Sequence, residues 1–352
     1  MDRVLVLLGG VSAEHSISCL SGDAVLAAID RTRHDVVAVG ITRDGRWVLG
    51  GATRPGTDGL PEVDADAPGC RLVGDPCGAH LVDAAGAAVS GPLDVAFPVL
   101  HGVGGEDGAI QAELAAVGIA CVGADAAASR IGMDKSAMKE AFAAVGLPQT
   151  AHVVVRSVDR DAPDVRAAIG ALPLPWFVKP ARQGSSIGIT RVGHADGLGA
   201  ALDAALVHDD VALVEAGVVG ARELEVGVLE RGGEVEVTRP GEIVPSHDFY
   251  DFEAKYLDDS ELVVPALVDA DVVAAAQRLA REAFAAIGAR GMARVDLFLD
   301  TDGRLVVNEI NTIPGFTERS MFPRLWAAEG VAFPTLVERL LDAARADATR
   351  RR

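Results

Sequence analysis

Arg294, Asp296, Glu309 and Asn311 fall within one short stretch whose pattern can gather oxygen ligands. Residues 295–299 and 305–310 are strand-like runs on either side of Asp302-Gly303, a turn dipeptide, and predict a β-hairpin. Side chains two apart on a strand share a face, so Glu309 and Asn311 point the same way. Closing the hairpin brings Asp296 opposite them, with Arg294 beside Asp296 on that face. Two carboxylates and an amide oxygen suit Mg2+ bound together with phosphates. The same spacing fits a plain hairpin with charges on its solvated side, and the rest of the chain must decide.

Other polar groups stand at the ends of apolar runs. Residues 179–188 (K-P-A-R-Q-G-S-S-I-G) set Lys179 before a loop of two glycines and two serines. Successive N–H groups of such a loop can point at an anion, and the hydroxyls add donors. The lysine supplies a point charge for phosphate oxygens. The order is not that of a Walker A loop, and taken alone the segment also reads as a surface loop. Lys135 starts a helix after G-M-D. Glu215 ends an apolar strand, where it can accept from an exocyclic amine, and Glu223 in R-E-L-E can hold ribose hydroxyls. Each of these, singly, is equally a solvated side chain. The turn G-G-V-S-A-E-H at 9–15 is not G-x-G-x-x-G, which argues against a nicotinamide cofactor in the usual pocket. Glu14 there can face an amine or simply favour the helix dipole. H-G-V-G-G-E-D-G at 101–108 permits close ligand approach, or is a glycine-rich turn.

An open α/β sheet is needed first to position these groups. Residues 4–8 read as a buried parallel strand. Ser12 is placed to cap a helix reaching residue 29, with Ile17, Leu20, Val25 and Ile29 near helical spacing. Strands at 36–41, 93–100 and 119–122 and a helix at 109–117 complete that unit. Within the Gly-, Pro- and Asp-rich residues 44–90, short strands are expected at 47–49 and 70–73. Past residue 124 come a lysine-bearing helix at 135–145, strands at 150–155 and 176–179, and a helix at 162–171. Strands at 211–215 and 223–229, a loop at 246–256, a helix at 270–287 and the hairpin follow. A last helix at 334–345 precedes a basic tail expected to fray. Three units are expected: 1–123, 124–212 and 213–352.

The chain has 352 residues, 49% of them hydrophobic but only 4% aromatic, so its cores are aliphatic. A net charge of −19 repels nucleic acid and anionic lipid. A polyanion such as ATP must then be drawn by local Lys, Arg, Mg2+ and backbone N–H groups. Cys19, Cys70, Cys77 and Cys121 form no C-x-x-C pair and have no histidine at zinc spacing, and read as reduced, mostly buried thiols. The N-terminal apolar run is too short for a signal peptide, and no run of about 20 apolar residues predicts a membrane span. A cytoplasmic protein with no membrane partner is expected.

Taken together, the motifs resemble those of D-alanine–D-alanine ligases of the ATP-grasp superfamily. The resemblance rests on G-G-V-S-A-E-H-S-I-S, H-G-V-G-G-E-D-G, M-D-K-S-A-M-K, V-K-P-A-R-Q-G-S-S-I-G, H-D-F-Y-D-F-E-A-K-Y, R-V-D-L-F and N-E-I-N-T-I-P-G-F-T-E-R-S-M, in family order from residue 9 to 321. It implies a three-lobed ATP-grasp fold, an N-terminal open parallel α/β sheet with two α+β lobes clamping the nucleotide. The implied activity joins two D-alanines through a D-alanyl phosphate for peptidoglycan synthesis, with ATP as substrate, two Mg2+ (Mn2+ as an alternative) and a homodimer.

By similarity, Lys135, Lys179 and Ser186 would hold ATP phosphates, and Glu215 with the backbone near Val218 would read adenine. Glu223 would hold ribose, and Asn308 would also line the ATP site. Asp296, Glu309 and Asn311 would bind metal. Glu14, in a set with Ser185 and Tyr256, would hold the first D-alanine's ammonium, with His101 near its carboxylate. Arg294 and the Gly315 N–H would stabilise the oxyanion, and Ser320 with Arg294 would seize the second carboxylate beside Lys255 and Met321. The loop 246–256 and the serine loop would exclude water. Gln183 departs from the family's usual Glu, so a neutral hydrogen bond would replace a lid-closing ion pair. The segment between Glu215 and Glu223 is one residue longer than usual, which loosens the ribose assignment. Tyr256 favours an amine acceptor over a hydroxy acid, and leaves D-serine open as second substrate.

Overall fold

The structure, a computed structural model, describes residues 1–51, 53–56, 59–244 and 261–350. The first sheet has strand order β3-β2-β1-β8-β9. Its members are β1 (Asp2–Gly9), β2 (His34–Ile41), β3 (Trp47–Leu49), β8 (Val95–Pro98) and β9 (Ala120–Cys121). All neighbours pair parallel except β2 with β3. The expected strands at 4–8, 36–41 and 47–49 lie within it. Two small hairpins decorate it, β4 (Thr53–Pro55) with β5 (Pro61–Val63) and β6 (Arg71–Asp75) with β7 (Gly78–Val82). Only β6 was legible in advance, as the strand at 70–73.

Helix α1 (His15–Ala28) packs on β1 with Val25 buried, and Ile29 just past its end buried too, as expected, but Ile17 and Leu20 lie off that face. Its buried side includes Ser18, Cys19, Ser21, Gly22 and Val25, while Leu20 is exposed. A Cβ on Gly22 would sit 2.5 Å from the Leu8 Cβ, so this close approach admits small residues only. Ile17 and Leu20 instead line a cleft. Ser12 does not cap the helix end; Glu14 takes that position, and its N–H donates to the Ser12 hydroxyl at 3.1 Å. Helix α2 (Ala109–Ala116) completes this region.

The second sheet is antiparallel, in the order β10-β13-β11-β12, from β10 (His152–Arg156), β11 (Trp176–Pro180), β12 (Thr190–Val192) and β13 (Val211–Ala216). Helices α5 (Pro163–Gly170) and α6 (Leu198–Leu206) cover it, sharing one core. Two helices precede it, α3 (Ala126–Met133) and α4 (Lys135–Ala144). The Asp125 and Asp134 carboxylates cap them by accepting backbone N–H groups of the first turn, which brings Lys135 to the first helical position.

The third sheet contains β14 (Arg222–Arg231), β15 (Glu234–Val237), β16 (Gly241–Val244), β17 (Glu261–Val263), β18 (Met292–Leu299) and β19 (Leu305–Asn311). Its order is β17-β16-β14-β18-β19, with β15 also on β14. Helix α7 (Ala270–Ala286) backs it, and Met138 and Phe142 of α4 enter the same core. Strands β12 and β15–β17 and helices α3 and α6 were not foreseen; most are short, and their pairing comes from neighbours distant in sequence.

Helices α8 (Met321–Ala328) and α9 (Phe333–Arg350) close the chain. The tail expected to fray is helical to Arg350, with Arg345 paired to Asp2 and Asp342 and Arg290 to Asp347. The apolar face of α9 (Leu336, Val337, Leu340, Leu341) packs under the first sheet with Val4, Val6 and Phe97. Phe316, fully buried, joins the two ends of the chain there: its ring lies 5.6 Å from Phe97, 5.9 Å from Phe322 and 5.5 Å from Phe333. Cys19 is buried, Cys77 is exposed, and all four thiols are free. Among the described residues, no helix is long and apolar enough to cross a membrane.

Phe316→Ala removes the ring that joins these segments and should cost about 3–5 kcal/mol. Urea unfolding reads this as a lower midpoint; an unchanged midpoint would mean that the aromatic cluster does not join the first sheet to the chain's end.

Candidate active site

The hairpin forms, with a bulge that decides its chemistry. Leu297 pairs with Val307, yet Asp296 pairs with Glu309, so Asn308 is an extra residue on β19. Val307 and Ile310 are both buried in the core although three apart, which plain alternation forbids. Beyond the bulge, Glu309 and Asn311 lie directly across from Asp296 and Arg294. The turn is organised by Asp300, whose carboxylate accepts from the N–H groups of Asp302 (2.9 Å) and Arg304 (2.8 Å).

Arg294 grips Asp296 with a two-pronged bond, Nε to Oδ1 and Nη2 to Oδ2 at 2.7 Å each. It also lies 3.0 Å from Glu225 on β14. The two carboxylates hold its pKa well above the ordinary arginine value against the opposing effect of burial. Asn311 Nδ2 donates to Asp296 Oδ2 at 3.0 Å. Two carboxylates and an amide on one wall fit a hard divalent cation. Among the described residues no three His, Cys, Asp or Glu side chains cluster at metal-binding distance.

Glu14, His101 and the serine loop border the same cavity as Arg294, Glu309 and Asn311. Ser185 Oγ donates to Glu14 Oε1. Ser185 and Ser186 adopt φ of 50° and 59°, a left-handed backbone that non-glycine residues rarely hold without support. Support comes from Glu14 on one flank and Lys135 on the other, whose ammonium donates to the Gln183 carbonyl at 2.6 Å. A Cβ on Gly102 would fall 2.7 Å from Glu14 Oε2, so glycine is required beside this carboxylate.

His101 is buried with both ring nitrogens engaged, Nδ1 with the Ile313 carbonyl and Nε2 with Ser21 Oγ, each at 3.0 Å. A carbonyl only accepts, so Nδ1 carries the proton and Nε2 accepts from the serine. Burial lowers the histidine pKa, in keeping with this neutral ring. Ser21 Oγ in turn accepts the Phe316 N–H at 3.3 Å, so this chain of bonds runs from α1 to the segment carrying Gly315. Ser320 precedes α8, and its hydroxyl accepts the Thr317 N–H at 3.1 Å.

These residues border two adjoining cavities. One, of ≈ 670 Å³, is lined by Glu14, His101, Arg294, Asn311, Gly315, Ser320 and Met321. The other, of ≈ 410 Å³, is lined by Lys179, Ser186, Glu215, Val218, Glu223, Asp296 and Asn308. Lys135, Ser185, Glu225 and Glu309 belong to both walls. Every predicted site residue within the described chain therefore borders the cleft; Lys255, Tyr256 and the loop 246–256 lie outside the described residues.

Four contributors escaped the sequence reading. Glu225 sits two residues after Glu223, and Lys139 one helical turn after Lys135, spacings that place each pair on one face. Thr150, just before β10, donates to Glu215 Oε2 at 3.2 Å. Glu106, in the glycine-rich turn, accepts the Gly102 N–H at 2.7 Å. Burial, followed by the nearby Glu14 charge, pushes the Glu106 carboxyl up to about 8.

A profile described as "D-ala D-ala ligase N-terminus" matches residues 3–124, and one described as "D-ala D-ala ligase C-terminus" matches residues 141–342. The chain belongs to the D-alanine–D-alanine ligase family. It is 50% identical to the D-alanine–D-alanine ligase of Mycobacterium sp. (strain KMS) over 365 residues, covering 99% of this chain and 97% of that one. It is also 50% identical over 368 residues to that of Kineococcus radiotolerans, covering 97% and 96%. Among solved structures, the VanG D-Ala:D-Ser ligase from Enterococcus faecalis superposes with a TM-score of 0.83 at 31% identity, covering 97% of this chain and 99% of that one. The D-alanine-D-alanine ligase from Coxiella burnetii does so with 0.83 at 27% identity, covering 100% and 97%. The fold is thus the ATP-grasp fold of this family, as the motifs implied.

Glu106 gives a pH-dependent test. Its folded-state pKa of about 8 lies above the ordinary 4.5, so the folded chain favours the protonated acid. That stability is complete below about 4.5 and is lost as pH rises through about 8. Glu106→Gln should therefore raise the melting temperature by a margin that widens between pH 5 and 8.5. A margin independent of pH would show that this carboxyl ionises normally.

Proposed function

We propose that this chain is an ATP-dependent D-alanine–D-alanine ligase of peptidoglycan synthesis. The observation that carries this reading is the pair of cavities meeting at Lys135, Ser185 and Glu309. One chamber has lysines and a serine loop suited to a nucleoside triphosphate. The other has a buried acid, an arginine and a helix N-terminus suited to two small zwitterions. We take residues 1–123, 124–212 and 213–352 as the three lobes, and a cytoplasmic homodimer as the working form.

A carboxylate resists attack because its charge repels nucleophiles and it has no leaving group. Phosphorylation solves both problems. Glu14, fixed by Ser185, holds the first D-alanine's ammonium, and the carboxylate faces the boundary between chambers. Its oxygen attacks the γ-phosphorus of ATP, and the bond to ADP breaks. Lys135, Lys179 and the N–H groups around Ser186 balance the phosphate charge. Glu215 and the backbone near Val218 hold adenine, Glu223 ribose, and Asn308 completes the wall. Asp296, Glu309 and Asn311 would hold Mg2+, or Mn2+, which neutralises phosphate oxygens when bound.

The second D-alanine's neutral amine then attacks the acyl carbon, the bond from that carbon to the phosphate oxygen breaks, and the proton lost by the amine leaves with the phosphate. Arg294 and the Gly315 N–H face the developing oxyanion, worth about 3 kcal/mol per donor. Ser320, at the N-terminus of α8, receives the second carboxylate together with Arg294, beside Met321 and Lys255. Tyr256 favours an amine over a hydroxy acid as acceptor. Acyl phosphates hydrolyse, so the serine loop must keep water out.

A second reading, D-alanine–D-serine ligation, is favoured by the likeness to the VanG D-Ala:D-Ser ligase. Pure protein with D-alanine, ATP and Mg2+ should release ADP in step with dipeptide. D-serine added in excess should yield less than a tenth as much mixed product, and D-lactate none. Faster mixed product with D-serine would shift the assignment, and no D-alanine-dependent ADP would overturn both readings. Asp296→Ala should lower kcat at least about 100-fold in a variant that still folds, with a lower unfolding midpoint because Arg294 loses its two-pronged partner; retained turnover would remove Asp296 from the metal site.

A further inference from the structure

Two lysines converge on one buried carboxylate beneath the smaller cavity. Lys179 Nζ lies 2.9 Å from Glu215 Oε2, and Lys139 Nζ lies 3.3 Å from Oε1. Thr150 joins the group, accepting from Lys139 at 3.4 Å while donating to Glu215. Lys139 is the more deeply buried lysine, its side chain 1% exposed against 9% for Lys179. Burial, and then the neighbouring Lys179 charge, act to lower the Lys139 pKa, while Glu215 opposes them. Glu215 thus has two ammonium partners; Glu309 adds only the weakest of the named attractions on Lys139, and burying a second ammonium carries its own desolvation cost. The second lysine therefore calls for a role that pairing alone does not supply.

The two arms differ in access. Lys179, Thr150 and Glu215 line the cavity wall, whereas Lys139 reaches the carboxylate from α4, behind it. A phosphate entering the cavity can draw Lys179 off Glu215, but not Lys139. An unpaired, buried carboxylate would otherwise remain, the costly half of a broken ion pair.

We propose that Lys139 is a positioning residue for nucleotide recognition. It is the counter-ion that stays with Glu215 when phosphates take Lys179, and so keeps Glu215 ionised and in place as an acceptor for the adenine amino group. The proposal rests on the nucleotide reading of this cavity, which wild-type ADP binding tests separately.

The experiment is calorimetric titration with ADP and with inosine diphosphate, which lacks the exocyclic amine, in Mg2+ buffer. Wild type, Lys139→Met, Glu215→Gln and the double variant are compared. Lys139→Met should weaken ADP by about tenfold or more and lose the preference for ADP over inosine diphosphate, with KM for D-alanine unchanged. The double variant should bind ADP as Glu215→Gln alone does, because a neutral side chain needs no counter-ion. A purely structural lysine would lower the melting temperature without moving the ADP-to-inosine-diphosphate ratio. Lys139→Met with wild-type ADP affinity and selectivity, or losses that simply add in the double variant, would overturn the proposal. If Lys139→Met does not fold, the double variant decides: folding with Glu215→Gln affinity supports the proposal, and failure to fold overturns it. Wild type that binds neither nucleotide would remove the nucleotide reading and this proposal together.

Discussion

The one-residue bulge at Asn308 sets the geometry of the whole cleft. Without it, the side chain of Glu309 would follow Val307 into the core, and a buried carboxylate would oppose an apolar wall. With it, Ile310 seals the core while Glu309 and Asn311 reach the cleft opposite Asp296 and Arg294. Core packing and site chemistry thus impose the same register. A slip of one residue would cost both.

Charge balance follows from that register. The chain is strongly acidic overall, yet its cleft must receive a polyanion and two zwitterions. Arg294 is held by Asp296 and Glu225, and Lys179 by Glu215, so the chain itself places these cations at the cleft. The acids are equally placed: Glu14 is fixed by Ser185, and Glu106 favours its neutral form beside it. The buried Phe316 cluster and the bonds of His101 tie the first sheet to the segment carrying Ile313 and Phe316.

Much of this was legible in the sequence because the informative groups sit at strand ends and in glycine-rich turns, where local pattern and location coincide. The hairpin, the serine loop and Glu14 are of this kind. What stayed hidden depends on long-range contact. Glu225 and Lys139 sit on regular elements, and only the packing of β14 against β18 and of α4 against the end of β13 in the second sheet gives them partners. The bulge was hidden because alternation is read within one strand, whereas a bulge is a property of two. Helix α1 misled in part for another reason: Ile17 and Leu20 line the cleft, while Gly22 and its small neighbours join Val25 in the close contact with β1.

The central claim is that the cleft couples two steps, phosphorylation of one carboxylate and attack on it by a second amine. Its most direct test follows the oxygen atoms. With D-alanine carrying ¹⁸O in both carboxyl oxygens, the attacking oxygen becomes the bridge of the acyl phosphate and leaves with phosphorus. Each dipeptide formed should therefore release one inorganic phosphate bearing a single ¹⁸O. Dipeptide formed with unlabelled phosphate would contradict the account, because the carboxylate would then never have been phosphorylated.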